Sequence, residues 1–505
     1  MVRLFAAFRH MRRERLTTNV RSSLVLSLAD SYLGTLLQIA STVVIARQLS
    51  PSEIGVFSIS ATFAALASVF RDFGVGEYLI QERDLCTEKV RAALSLNIAS
   101  SWSMAALLFF GSPLAADFYR HAGVGEIMRL QSVNFLLVPF GAVTMGWFRR
   151  ELNYWPIAVC NALSATSAAV VAVALALLDF GYMSLAWSSV AGVSVAVAAA
   201  LWFRPPQIPL MPGLASIREV FQFSRFAGGT YVFGQAAKGA PEMIIGRIAD
   251  LASVGLFSRA NALVELLNRL LLGPVLQVCM PYFVRSERER ESMASAYVQS
   301  VSLLTMVAWP LLGLLYFEAY AAIRIVYGAQ WTAAVPLAEV LCLAAFFEVL
   351  FLPSREMLLA RGASKTANAL QSQLMAARVV GALMVIPFGL IGACWGMVGA
   401  ACVGFGLSQM YLNRSIGLRT KELLIGCVPA LAVTVLSVGP LALSMRWYPS
   451  TENSYWSISI FGGLTTALIW LVCLRVTKHE LWAELTTLLG QLTTLLRRTS
   501  DAREL

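Results

Sequence analysis

Histidine is nearly absent, at three residues in 505 (His10, His121 and His479), and none falls within an apolar run. The HExxH of zinc proteases, the GxSxG of serine hydrolases and the Walker A glycine loop do not occur. Metal-assisted hydrolysis, a strand-to-helix nucleophile and P-loop nucleotide binding therefore lack their residues. Charge is scarce as well. Asp, Glu, Lys and Arg make up 13% of the chain, against about 25% in ordinary soluble domains. The eight cysteines stand singly with no CxxC spacing, which indicates neither a zinc site nor a disulfide framework. They read as small buried hydrophobes. The loops between apolar runs are short, whereas a membrane glycosyltransferase or polymerase usually shows a long extracytoplasmic loop. The chain therefore reads as a non-enzyme, with a membrane-embedded enzyme a distant third reading.

What is present is apolar. Hydrophobic residues form 58% of the sequence and the mean hydropathy is +0.68, so the chain cannot cover itself with water-compatible surface. The expected fold class is an all-α polytopic membrane protein. Scanned with the length needed to cross a hydrocarbon core, about 20 residues, the sequence offers fourteen spans. The first six lie near 24–46, 54–70, 92–112, 130–148, 155–178 and 182–203. A proline-rich break, RPPQIPLMPG (204–213), opens a linker that ends near 225. Six more follow near 226–246, 256–283, 298–317, 335–354, 367–388 and 390–412, then two near 423–445 and 455–474.

The division expected from this map is a basic interfacial segment (1–23), a six-helix bundle (24–203), a cytoplasmic linker (204–225) and a second bundle (226–412). Two additional helices (413–476) and an amphipathic tail (477–505) complete it. Leu481, Leu485, Leu488, Leu492 and Leu496 place one apolar face on that tail, which suits a helix lying on a membrane. With both termini in the cytoplasm, 29 of the 39 basic residues fall in cytoplasmic segments, six on the opposite side and four inside spans. The positive-inside rule explains that bias. The net charge of +10 is accordingly topology, not a nucleic-acid surface.

One stretch occurs twice. IARQLSPSEIGVFS (45–58) and IGRIADLASVGLFS (245–258) share Ile, Arg, Gly, Phe and Ser at an offset of 200 residues. Each copy links the first and second spans of its bundle and faces the same way, as in transporters built from parallel repeats.

Intramembrane charge is the remaining signal, because a charged side chain in hydrocarbon costs at least about 2.5–3.5 kcal/mol and must face a cavity or a partner. Lys238 and Glu242 stand four residues apart around Pro241, and Glu265 and Arg269 repeat that spacing, so two self-satisfying pairs and a charged cavity are both open readings. Arg259 lies near a span end, where snorkelling competes with ligand binding. Arg378 has no acid within a helical turn, which favours a cavity or an anionic ligand. Asp30, near the start of the first span, is either an interfacial group or an ion-coupling one. Glu318, Glu339 and Glu348 acquire no specific role. Because the cations outnumber the acids beside them, the cavity suits phosphate or pyrophosphate, the usual partners of Arg and Lys.

Three further segments carry a resemblance: RDFGVGEYLIQERDL (71–85), FRRELNY (148–154) and FLPSREMLLARGASKTANAL (351–370). They resemble the loop motifs of Wzx-type oligosaccharide flippases, the polysaccharide-transport group of the multidrug/oligosaccharidyl-lipid/polysaccharide exporter superfamily. The resemblance runs along most of residues 20–420. It implies two six-helix bundles around a central cavity, residence in the bacterial inner membrane and movement of an undecaprenyl-pyrophosphate-linked oligosaccharide. The polymers served would be exopolysaccharide, capsule or O-antigen. No cofactor is expected beyond coupling to a proton or sodium gradient, and the expected partners are lipid-linked oligosaccharide, membrane lipids and other polysaccharide-assembly proteins.

The expectation is thus a flippase working by alternating access. Lys238, Arg259, Arg269 and Arg378 would hold the pyrophosphate, with Arg71 of the RDFG segment as a further contact. Glu242, Glu265 or Asp30 would carry the coupling ion. The competing readings are an organic-cation exporter on the same fold and a non-transporting scaffold of a polysaccharide synthase complex.

Overall fold

A computed structural model of the chain describes residues 17–476, apart from positions 73, 83, 210, 228 and 448–454. Most of the basic N-terminal segment and the amphipathic tail expected over 477–505 lie outside the described residues. Among the described residues the structure is helical throughout. The first half holds α1 (Thr17–Gln48), α2 (Pro51–Asp72), a short α3 (Val75–Gln81), α4 (Thr87–Tyr119), α5 (Ala122–Arg150), α6 (Tyr154–Leu177) and α7 (Met183–Trp202). The linker carries α8 (Ile217–Ala227). The second half holds α9 (Gly229–Ile248), α10 (Leu251–Leu267), α11 (Gly273–Arg288), α12 (Met293–Phe317), α13 (Ala319–Val326) and α14 (Val335–Glu348). It continues with α15 (Ser354–Ala360), α16 (Ser364–Ala382) and α17 (Val385–Ile416), and the chain then adds α18 (Thr420–Trp447) and α19 (Tyr455–Val476).

Each of the fourteen segments expected from the sequence falls on a helix or on two consecutive helices. Among the described residues, nine helical stretches are long and apolar enough to cross a membrane, so the chain is an all-helical polytopic membrane protein. The helices that fall short include α9, α10, α11 and α16. Three of these, α9, α10 and α16, carry Lys238, Glu242, Arg259, Glu265 and Arg378, and Arg269 sits in the turn between α10 and α11. In α9 and α16 the low hydropathy is the imprint of polar side chains that face protein or water instead of lipid, whereas α10 is apolar but too short.

Two breaks shape the second half. Between α10 and α11 the chain widens into a π turn over Asn268–Leu272, where Gly273 N–H bonds to Asn268 O. Pro274 follows at once, and its missing N–H and its ring disfavour ordinary helical bonding there. In α17 Gly389 adopts φ +65° and ψ −162°, a conformation that only glycine takes easily, so the helix bends between the spans expected at 367–388 and 390–412.

The repeated stretch forms the junction between the halves. The backbones of α2 and α10 cross at Gly55 and Gly255. A Cβ on Gly55 would lie 1.8 Å from Leu251 O, and one on Gly255 would lie 1.9 Å from Pro51 O. The two distances match because the two copies oppose each other. One turn deeper, Ser58 Oγ donates to Ser258 Oγ at 2.9 Å. Identities that stand 200 residues apart in sequence are therefore neighbours in space.

Further contacts between the halves gather at this end of the bundle. The Arg47 side chain donates to Ile325 O at 3.1 Å, Trp331 Nε1 to Ala46 O at 2.7 Å and Gln330 Nε2 to Leu49 O at 3.0 Å. On the other side of the junction, Tyr119 Oη donates to Met243 O at 3.2 Å and Arg247 lies over the Phe118 ring at 4.9 Å. In each case the last turn of the repeat's first helix (α1 or α9) is held by groups from the opposite half.

At the opposite end a polar clamp organises the first half. Lys89 of α4 bonds to Glu82 at 2.8 Å and to Glu219 of α8 at 2.9 Å, tying the linker helix to the loop after α3. Arg150 closes α3 by donating to Leu79 O at 2.9 Å and to Glu82 O. The hydrogen bond from Lys89 holds the Glu82 carboxyl below the usual glutamate range. A depressed native pKa means that the clamp is at full strength above that range and fades as pH falls through the lower value.

Two expectations follow. Gly55→Val or Gly255→Val should cost roughly 1–3 kcal/mol or more, since the added atoms meet backbone. Gly34→Ala, where a Cβ meets nothing within 4 Å, should be neutral or stabilising; thermal unfolding in detergent distinguishes the sites. Amide exchange in α3, corrected for intrinsic rates, should speed up as pH drops below the glutamate range, and an unchanged corrected rate would show that the Lys89–Glu82 link does not hold α3.

Candidate functional site

The charged residues singled out in the sequence occupy four places. Lys238 and Arg378 line a common cavity of about 410 Å³ in the second half, among α9, α15, α16 and α17. Pro241 lies inside α9, which otherwise runs on to Ile248. Lys238 does not pair with Glu242 one turn away. It reaches across to Glu265 of α10 at 3.6 Å, both side chains being well exposed at 61% and 41%. Arg378 is likewise paired, its Nη2 donating to Glu348 Oε1 of α14 at 2.7 Å. Arg355 and Glu356 add a 3.5 Å pair to the same wall. The lining thus carries three cations and two carboxylates.

Glu242 points the other way, into the junction. It accepts from Thr62 Oγ1 of α2 at 3.1 Å, a bond between the halves one turn from the Ser58–Ser258 contact. The space is tight: a Cβ on Gly239 would come within 2.3 Å of Thr62 Cγ2. Arg259 stands close by with its guanidinium 5.8 Å from the Tyr327 ring, and its Nε has no hydrogen-bond partner. Arg269 lies in the π turn and bonds to Gln38 of α1 at 2.8 Å, spanning the halves at a separate point. Of Asp30, only the helical backbone is described.

Arg71 is in the first half. It lies 5.6 Å from the Phe135 ring, its carbonyl accepts from Ser100 Oγ, and it lines another cavity together with Arg149 and Asn97. The five cations expected to act together are thus divided: Lys238 and Arg378 share a cavity, while Arg259, Arg269 and Arg71 each stand elsewhere. The i,i+4 pairings also give way to contacts between helices. Proximity along one helix does not compete well when a neighbouring helix presents a carboxylate or amide closer to the charged end.

Sequence reasoning passed over Glu348, the partner of Arg378, and over Arg149. One signal was available. Arg150–Glu151–Leu152 ends α5, and Arg355–Glu356–Met357 begins α15 after α14, so the Arg-Glu-aliphatic step recurs at corresponding places of the two halves. It is a second short sequence likeness between the two halves.

Two halves joined at the repeated helical junction, with polar cavities inside a lipid-compatible exterior, define a polytopic membrane protein with a MATE-like fold. Solved structures show the same fold. A lipid II flippase MurJ in its inward closed conformation matches with TM-score 0.74 at 15% identity, over 91% of this chain and 99% of that one. An inward-facing multidrug resistance MATE transporter matches with TM-score 0.59 at 14% identity, over 77% and 98%. The chain belongs to the polysaccharide biosynthesis protein family, which matches residues 44–336.

Relatives include the succinoglycan biosynthesis transport protein ExoT of Rhizobium meliloti, 28% identical over 61% of this chain and 62% of that protein. The teichuronic acid biosynthesis protein TuaB of Bacillus subtilis is 23% identical over 65% and 68%. The lipopolysaccharide biosynthesis protein WzxC of Escherichia coli is 20% identical over 63% and 65%. The alignments with ExoT and WzxC thus cover less than two thirds of those proteins. The Wzx-type resemblance read from the loop motifs agrees with these matches.

The Arg378–Glu348 bond gives a direct test. Either residue changed alone to Gln should cost about 1–3 kcal/mol, because a part-buried charge loses its partner. The double variant should cost less than the sum, as a double-mutant cycle on thermal or denaturant unfolding would show. Strict additivity would mean the pair is uncoupled.

Proposed function

We propose that this protein is a flippase that moves undecaprenyl-pyrophosphate-linked oligosaccharide repeat units across the bacterial inner membrane for exopolysaccharide, capsule or O-antigen synthesis. The observation that carries the reading is the charged cavity of about 410 Å³ beside the junction of the halves, in a member of the polysaccharide biosynthesis protein family. In this reading the units are the bundles 24–203 and 226–412, with both termini cytoplasmic, and the end bearing Arg47 and Arg247 faces outward. Contacts between the halves gather at that end, so the state described is closed outside and receives cargo from the cytoplasm.

Lys238 and Arg378 then act by exchange. An arriving pyrophosphate offers each cation a stronger acceptor than a single carboxylate, and Glu265 and Glu348 are released as it binds. Arg269, Arg259 and Arg71 supply further positive charge along the path. The sugar occupies water-filled space, and the prenyl chain stays in lipid between helices. Glu242 is the strongest candidate for the coupling ion, since its carboxylate joins the halves through Thr62. Protonation or sodium binding there would change one of the contacts that must break when the junction rocks. Glu265 and Asp30 remain secondary candidates for that role.

An organic-cation exporter would want net negative charge in its cavity, whereas this lining carries more cations than carboxylates. A scaffold of a synthase complex would not need the charges at all. The test is a strain lacking the protein, complemented with wild type or with Lys238, Arg259, Arg269 and Arg378 all changed to Gln. Cytoplasm-facing lipid-linked repeat units should accumulate, and surface polymer should fall at least about tenfold, in the deletion and in the quadruple variant alike. Normal export by the quadruple variant would overturn the reading. Glu242→Gln should retain cargo binding yet lose dependence of export on the ion gradient.

A further inference from the structure

A groove of about 950 Å³ runs between α16 and α17, with more than twice the volume of the charged cavity beside it. Its shape follows from glycine. At Gly381 and Gly396 the two backbones touch: a Cβ on Gly381 would lie 2.3 Å from Gly396 O, and one on Gly396 would lie 1.9 Å from Gly381 O. To one side of this crossing Gly389 bends α17, and Met384 and Phe388 form an exposed rim. To the other side the lining is Ala376, Ala377, Gly399 and Ala400, too small to fill the space between the helices.

We propose that this groove holds the isoprenoid chain of a lipid-linked cargo whose pyrophosphate sits in the charged cavity on the other side of the same two helices. The inference rests on the flippase reading and adds to it the path of the chain.

Three observations carry it. First, the groove and the charged cavity stand back to back. Ala400 lines both, and on α16 Ala377 belongs to the groove while the next residue, Arg378, belongs to the cavity. Only small side chains separate a cation that can take a phosphate from a surface that can take hydrocarbon. Second, this seam is bounded on both sides. The Gly381–Gly396 contact closes it toward one end, and toward the other a Cβ on Gly404 would come within 2.8 Å of Leu374 and of Phe351. Third, the groove is polar at the end level with the cavity and apolar at the other. Gln373, at the midpoint of α16, lines it and donates from Nε2 to Tyr411 Oη at 3.0 Å, an exposed pair. The opposite end is Phe388, Ile391 and Trp395. A polar side chain turned toward hydrocarbon is costly, and Gln373 stands where the polar and apolar parts of one ligand would meet.

The same geometry separates the cargo from ordinary bilayer lipid. A phospholipid keeps its phosphate at the membrane boundary, whereas Arg378 lies near the middle of the span over 367–388. A chain attached to a pyrophosphate held there enters hydrocarbon across the Ala377–Ala400 seam.

The test uses the full-length protein in detergent, with native mass spectrometry to read binding and oligomeric state and thermal unfolding to read integrity. The probes share one head and differ in the tail: a long-chain polyprenyl pyrophosphate and geranyl pyrophosphate, with phosphatidylglycerol as competitor. Wild type should bind the long-chain probe about tenfold or more tighter than the short one, and excess phosphatidylglycerol should leave that advantage in place. Gly399→Phe fills the groove, and a Cβ at Gly399 meets nothing within 4 Å, so the unliganded midpoint should not move. In that variant the long-chain advantage should vanish while affinity for geranyl pyrophosphate is unchanged. Gly406→Phe, at an equally open and exposed glycine of α17 outside the groove, should behave as wild type.

An advantage that persists in Gly399→Phe, or is lost equally in Gly406→Phe, overturns the proposal. So does one that yields to phosphatidylglycerol, which would make the groove a bed for any bilayer chain. A wild-type dimer that Gly399→Phe splits with binding unchanged would make it an interface between copies and overturn the proposal too. If both pyrophosphates bind wild type equally, the groove alone fails. If neither binds, the flippase reading fails with it.

Discussion

Backbone against backbone at Gly55 and Gly255 is the contact on which the rest of the molecule depends. Two helices can approach this closely only where neither carries a Cβ at the crossing. Once they do, everything along α2 and α10 is set in register. The two serine hydroxyls meet one turn deeper, Thr62 comes opposite Glu242, and the last turns of α1 and α9 come within reach of side chains from the other half. A crossing of this kind also concentrates the interface at one end of the bundle. The halves are fastened there by hydrogen bonds with defined partners, while the cavities are built within each half.

The charges of the second-half cavity are balanced, and the balance has a physical meaning. Each cation there is given a carboxylate, Lys238 and Arg378 from another helix (Glu265 and Glu348) and Arg355 from its neighbour Glu356 on the same helix. Paired charge lowers the cost of keeping ionisable groups in a membrane-spanning bundle, and it leaves the cavity ready to trade one acceptor for another.

Much of the architecture was legible because hydropathy has few ways to deceive over 20 residues. Every expected span lies on helix, and the boundary between 367–388 and 390–412 falls at Gly389, where the backbone leaves helical geometry. The repeated stretch was legible for a different reason: Gly55, Ser58, Gly255 and Ser258 meet in one contact, so the likeness lies where the two stretches touch. Side-chain partners were not legible. Glu348 stands 30 residues from Arg378, and Gln38 stands 231 residues from Arg269, separations that carry no periodic signal. The i,i+4 spacing of Lys238 with Glu242 pointed to a local pair, but α9 presents its two charged groups to different neighbours. Asn97 and Arg149 were hidden for a simpler reason, since a polar residue in an apolar run announces burial but not what it is buried beside.

The bonds from Gln330 and Trp331 to the carbonyls of Ala46 and Leu49 have a consequence for how the molecule can open. The final carbonyls of a helix have no partners within it, and here α1 borrows donors from the opposite half. If the halves part at this end, those oxygens lose their donors together, and hydrocarbon cannot replace them. Only water can. Opening this end is therefore a wetting event as much as a rotation, and the rim that carries Arg47 must reach the aqueous phase before the two halves can separate.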